Sequence, residues 1–123
     1  MTYGDHRRGP LWLRTKRFAL DVIRLYVELP KTGEAQVIGR QMIRSGTSPG
    51  SHYREACRAR SVAEFVSKMS GGLQELEETG YWFELLVEGG IVPVARLAKL
   101  QPEANELTAM FVSSINTTRK GQR

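Results

Sequence analysis

An all-α, antiparallel up-down-up-down four-helix bundle is the fold this sequence predicts, and three observations carry the prediction. Apolar residues recur every three or four positions in four separate stretches, which is the period of an amphipathic helix. Clusters of glycine and proline separate those stretches. No stretch alternates apolar and polar residues as a half-buried strand does. The 123 residues suit a single domain built on one core, read here as spanning residues 1–123.

The first stripe is Phe18, Val22, Leu25 and Leu29. Thr15 is read as its N-cap. Pro30 is read as its stop, because a proline pushes the residue before it out of the helical region. Residues 1–12 are read as a flexible basic arm: Gly4, Gly9 and Pro10 interrupt any helix, and His6, Arg7 and Arg8 carry charge. A second helix is expected from about Thr32 or Gly33, with Glu34 favourable in its first turn and Ile38 and Met42 on its apolar face. It then meets the small-residue run Ser45-Gly46-Thr47-Ser48-Pro49-Gly50-Ser51. Pro49 has no N–H for the carbonyl of Ser45, and its ring crowds that carbonyl, so a kink is expected. Helix resumes through His52, Tyr53, Ala56 and Cys57 and closes at Arg58-Ala59-Arg60. The run lacks the lysine and the preceding strand of a phosphate-cradling loop. It is read instead as thinning the helix so that a neighbour can come close or bend past.

Ser61-Val62-Ala63-Glu64 is a capping box that opens a third helix. Its stripe is Phe65, Met69, Gly72, Leu76, Gly80, Phe83 and Val87. Glycine in a helix interior costs about 1 kcal/mol against alanine, so Gly72 and Gly80 on the apolar side imply close approach of another helix. Gly89-Gly90 is the stop. Pro93 suits the start of a fourth helix, with Leu97, Leu100, Ala104, Leu107, Phe111 and Ser114 as its stripe. Pro102 implies a kink or break near Lys99–Gln101. Residues 118–123 read as a basic tail.

Charge is divided unevenly along the chain. The net charge is +5; residues 1–60 carry twelve Lys/Arg against five Asp/Glu, a formal +7, and residues 61–123 carry six against eight, a formal −2. Such asymmetry points to an anionic partner for the first half, or to pairing of basic and acidic halves between subunits. Arg40–Arg44 and Arg54–Arg58 are i, i+4 pairs, each projecting on one side of a helix, and arginine forks match phosphate geometry. These four, together with Arg7, Arg8 and Arg14, are the candidate nucleic-acid-binding residues. Trp12 and Tyr3 stand near the last three and could stack on bases or seal the bundle end. The competing role for the arginines is pairing with Glu75, Glu78 and Glu88 of the third helix.

Catalytic chemistry finds little to stand on. His6 lies in the arm, where no base is positioned. His52 and Cys57 are five apart and do not stack on one helical face, so Cys57 is read as a small core or interface residue. As the only cysteine, it excludes an intrachain disulfide and a thiolate metal cage. Glu75, Glu77, Glu78, Glu84 and Glu88 are not accompanied by the Glu-x-x-His pairs of di-metal bundles. The chain is therefore expected to be no enzyme and to hold no metal or cofactor. With no bilayer-length apolar run and no apolar region near the N-terminus, it is expected to be cytoplasmic.

One resemblance covers about residues 15–118. Gly39-Arg40-Gln41-Met42-Ile43-Arg44-Ser45-Gly46-Thr47-Ser48, then Tyr53-Arg54-Glu55-Ala56, Arg58-Ala59-Arg60-Ser61, Glu64-Phe65 and Lys68 resemble a family of bacterial four-helix-bundle proteins. The likeness continues through Glu75-Leu76-Glu77-Glu78, Trp82-Phe83-Glu84-Leu85-Leu86 and Ala104-Asn105-Glu106-Leu107 with Phe111. The family takes its name from proteins encoded in intervening sequences of large-subunit ribosomal RNA genes. Pro49-Gly50-Ser51-His52 departs from it, where the family usually carries a small apolar residue, glycine, a small residue and asparagine. The resemblance implies an up-down-up-down bundle in a ring-like homo-oligomer, a pentamer. A structurally similar group, the accessory variability determinants of diversity-generating retroelements, implies a basic pentameric barrel that binds a reverse transcriptase and nucleic acid. The expectation for function is a non-catalytic, oligomeric scaffold that binds nucleic acid, RNA ahead of DNA. The alternative is a purely protein-binding assembly module or an accessory subunit of a partner enzyme such as a reverse transcriptase.

Overall fold

The structure, a computed structural model, describes residues 9–121. Four helices make up the bundle: α1 (Pro10–Glu28), α2 (Gly33–Ala56), α3 (Val62–Glu88) and α4 (Leu100–Lys120). A single 3₁₀ turn, Val94–Leu97, precedes α4. Each helix packs on the next in sequence, and α1 closes the bundle against α4. Contacts along the helices fix every neighbour as antiparallel. Trp12 meets Arg54 while Tyr26 meets Gly39; Glu55 meets Lys68 while Ser45 meets Thr79. Gly72 meets Phe111 while Gly80 lies nearest Gln101; Glu28 meets Arg96 while Arg14 meets Glu106. The chain thus runs up, down, up, down; the first two connections are short, and residues 89–99, with the 3₁₀ turn, link α3 to α4.

Helix α1 begins five residues before the expected cap. Pro10 stands in its first turn, where the missing N–H is no loss and the fixed φ is already helical. The arm therefore does not extend through residue 12: Leu11 is buried, and Trp12 packs against the core. Thr15 is not a cap. It lies inside the helix, buried, and its hydroxyl donates to the Leu11 carbonyl at 2.6 Å. The complete stripe is Leu11, Thr15, Phe18, Val22, Leu25 and Leu29. The fourth helix is likewise longer than expected, reaching Lys120, so the basic end up to that residue is helical.

Pro49 is buried inside α2, and the helix is continuous across it from Gly33 to Ala56. The Thr47 and Ser48 hydroxyls donate back to the Ile43 and Arg44 carbonyls, each at 2.7 Å. The small residues around Pro49 do let neighbours in. A Cβ on Gly46 would stand 2.9 Å from Val22 Cγ1, and one on Gly50 would stand 3.2 Å from Thr15 Oγ1. On the other side Ser45 Oγ lies 2.8 Å from Thr79 Oγ1, a buried hydroxyl pair joining α2 to α3.

In α3 the Ser61 side chain accepts the Glu64 amide at 3.0 Å, the forward half of the capping box. The buried series is Val62, Phe65, Met69, Gly72, Leu76, Thr79, Phe83 and Leu86, alternating steps of three and four throughout. Gly80 and Val87 sit one position off it. Only Gly72 keeps the role given to both glycines: a Cβ there would reach Phe111 Cε2 at 2.6 Å, whereas one on Gly80 finds nothing nearer than Gln101 Nε2 at 3.9 Å. The helix ends in a left-handed turn at Gly90, φ 71°. Pro93 caps the 3₁₀ turn rather than α4, and the break expected around Lys99 falls between that turn and Leu100. Phe18, Tyr53, Phe65, Phe83 and Phe111 are the largest fully buried side chains; Phe18 and Phe83 pack edge to face at 6.3 Å.

Candidate nucleic-acid interface

An uninterrupted α2 puts the arginines on one side of the molecule. At about 100° per residue, Arg40, Arg44 and Arg54 lie within roughly 40° of a common line, and about 21 Å of axis separates the first from the last. Arg58 follows in the turn after the helix. All four are exposed, because the opposite side of α2 carries Ala35, Gly39, Met42, Gly46, Pro49 and Tyr53 into the core.

Their surroundings differ. Arg44, on the α3 side, pairs with Glu75 at 3.3 Å and with Glu78. Glu78 also accepts the Trp82 indole N–H at 3.2 Å. Arg54, on the α1 side, lies over the Trp12 ring, its guanidinium carbon 4.3 Å from the centroid. Trp12 therefore offers that face to Arg54 rather than to a base. Arg40 projects to solvent further up the helix. Arg14 is not part of this face. It sits between α1 and α4, donating to Glu103 at 2.6 and 3.0 Å and pairing with Glu106 at 3.0 Å. Those hydrogen bonds, chiefly to Glu103, hold it protonated well above the ordinary arginine range. Its charge is met by two carboxylates of α4 within the chain, apart from the α2 arginines. Arg7, Arg8 and Tyr3 lie outside the described residues.

Between α1 and α2 runs a groove of about 450 Å³, lined by Lys16, Thr47, Gly50, Ser51, Arg54 and Arg58 among others. Glu55 is its one acidic lining residue, and it faces Lys68 of α3 at 2.8 Å. The hydrogen bond to Lys68 holds the Glu55 carboxyl below the usual carboxylate range and raises the Lys68 ammonium. Lys16 was not among the residues singled out from the sequence. It lies outside the apolar stripe, and only the packing of α1 against α2 brings it beside Arg54 and Arg58.

Of the residues weighed for catalysis, His6 lies outside the described residues. The His52 ring nitrogen Nδ1 lies 3.0 Å from the Ser48 carbonyl, and the ring packs over Gly71 of α3. Cys57 is buried beside Tyr53. Among the described residues no group of three or more His, Cys, Asp or Glu is placed to hold a metal ion, and no helix is long and apolar enough to cross a membrane.

Fold and surface together define a small antiparallel helical bundle with a cationic side on α1 and α2. The sequence profile of the 23S rRNA-intervening sequence protein family matches residues 9–113. The chain belongs to that family. A solved structure with the same architecture is a protein of unknown function from the S23 ribosomal protein family of Bacteroides thetaiotaomicron. It is 31% identical with a TM-score of 0.80, over 85% of this chain and 97% of that one. No curated protein matches the chain.

Proposed function

We propose that this protein is a non-catalytic, oligomeric scaffold that binds the phosphate backbone of RNA through the outer side of α2. One observation carries the reading: Arg40 and Arg54 are exposed along one side of an unbroken helix, with Arg44 at its edge and Arg58 exposed in the turn that follows. Rows of guanidinium groups on a rigid rod suit a repeating phosphate chain without reading its sequence. Membership of a family named for intervening sequences of 23S rRNA makes RNA the nucleic acid of choice over DNA. The test is fluorescence anisotropy of a labelled single-stranded RNA of mixed sequence, titrated across salt concentrations. Log K should fall steeply with log salt, and alanine at Arg40, Arg54 and Arg58 should weaken binding and flatten the slope by up to about two units, at roughly 0.7 per lost contact. Absence of binding at 50 mM salt ends this reading.

A second reading, a protein-binding assembly module, is favoured by the outer side of α1. Leu13, Leu20 and Val27 recur there every seven residues and are exposed, Val27 to 66%. A heptad-spaced apolar line on the outside of a bundle is the form of a helix–helix contact. The two readings are compatible if α1 joins subunits and α2 faces RNA, which is the arrangement we favour.

A further inference from the structure

We propose that the α1–α2 groove is a phosphoryl-binding site, built to seat one phosphodiester of the RNA chain among Lys16, Arg54, Arg58 and Ser51. The inference rests on the RNA reading above, but its residues are only partly the same: Lys16 and Ser51 belong to no arginine row. Three features mark the groove as a site rather than a charged surface. Its lining carries three cations against one carboxylate, and that carboxylate is paired with Lys68 on its far side. Arg54 is held against Trp12, its guanidinium carbon 4.3 Å from the ring centroid. A guanidinium held against a ring keeps N–H donors for an oxyanion, and a fixed group loses less freedom on binding. The floor is made of small residues. Gly50 approaches Thr15 so closely that a Cβ would stand 3.2 Å from its hydroxyl oxygen. Ser51, one residue on, lines the same groove. Thr15 and Thr47 direct their own hydroxyl hydrogens to the Leu11 and Ile43 carbonyls, so they can shape the groove while Lys16, Ser51, Arg54 and Arg58 supply the donors. The volume, about 450 Å³, admits a phosphate with its flanking ribose.

The experiment compares Lys16→Gln, Arg58→Gln and Ser51→Ala with Lys31→Gln, a charge change outside the groove, in the full-length protein. RNA affinity is read by anisotropy at several salt concentrations. Amide shifts of Gly50 and Ser51 are followed by NMR during titration with inorganic phosphate, uridine 5′-monophosphate and RNA. Lys16→Gln and Arg58→Gln should each weaken RNA binding on the order of fivefold and flatten the salt slope by about 0.7. Ser51→Ala should weaken it at unchanged slope, since it removes a donor and no charge. Lys31→Gln should do neither. If RNA binds but all three groove variants match wild type, the groove is not the site while the RNA reading stands. If RNA does not bind, yet phosphate or the nucleotide shifts Gly50 and Ser51 saturably and Lys16→Gln abolishes the shift, the phosphoryl site stands and the RNA reading falls. If RNA, phosphate and nucleotide all leave those amides unmoved, the inference is wrong.

Discussion

At the scale of single residues, what matters is which charges are met inside the chain. Arg14 and Arg44 face carboxylates of α4 and α3, while Arg40, Arg54 and Arg58 do not appear in such pairs among the described residues. Glu55 and Lys68 form the pair that keeps a carboxylate out of play beside the groove, and their titration reports it. The folded Glu55 carboxyl lies below its unfolded value. The pair therefore adds its stability above the unfolded carboxylate range and loses it as pH falls through the lower, folded value. In Lys68→Ala the Glu55 side-chain carboxyl, followed by carbon NMR, should titrate at higher pH than in wild type. An unchanged midpoint would mean that Lys68 is not its partner. Because both side chains are largely exposed, the effect on overall stability should be small.

At the scale of helices, two glycines that look alike in sequence part company. Gly72 lies against Phe111 and His52, whereas Gly80 has room around it. Gly80→Ala should raise stability by about 0.5–1 kcal/mol, because alanine holds a helix better than glycine and meets nothing. Gly72→Leu should lower it by about 1–3 kcal/mol or more, because the side chain must displace a fully buried aromatic ring. Urea midpoints of the two variants on opposite sides of wild type would confirm the register of α3; a destabilised Gly80→Ala would contradict it. Pro49 belongs at this scale too. Pro49 leaves the Ser45 carbonyl without that backbone partner, yet α2 stays helical through it, with neighbours packed on both flanks. Val22 and Thr15 sit against Gly46 and Gly50, and Thr79 against Ser45.

For the whole molecule, the outer side of α1 is the open question that assembly would answer. Leu13, Leu20, Ile23 and Val27 are exposed together, interspersed in sequence with Lys16, Arg17 and Arg24. The oligomer we propose should bury it. Size exclusion with light scattering should give a mass well above 13.9 kDa, and Leu20→Lys with Val27→Lys should lower it while helical circular dichroism is retained. A wild-type protein that runs as a monomer at micromolar concentration would remove the ring-like assembly. If dissociation also weakens RNA binding, the scaffold gains affinity by presenting several α2 faces at once.

The helix count, the antiparallel order and most of the core were legible in the sequence, because a helix must repeat its apolar residues every three or four positions to bury one side. Phe18, Leu76, Phe83, Leu107 and Phe111 were identifiable on that ground alone. Pattern is blind to context at the ends and at exceptions. Pro10 reads as a breaker and serves as a starter, since the same missing N–H that disrupts a helix interior is harmless in its first turn. The charge of the first half and its arginine pairs were also plain in the sequence. Which arginines have partners was not, because that depends on distant segments: Glu103 and Glu106 for Arg14, Glu75 and Glu78 for Arg44, Trp12 for Arg54. Lys16 joins Arg54 and Arg58 only because Gly46 and Gly50 let α1 lie close on α2. That meeting of side chains thirty-eight and forty-two positions apart is set by tertiary packing, and no local periodicity encodes it.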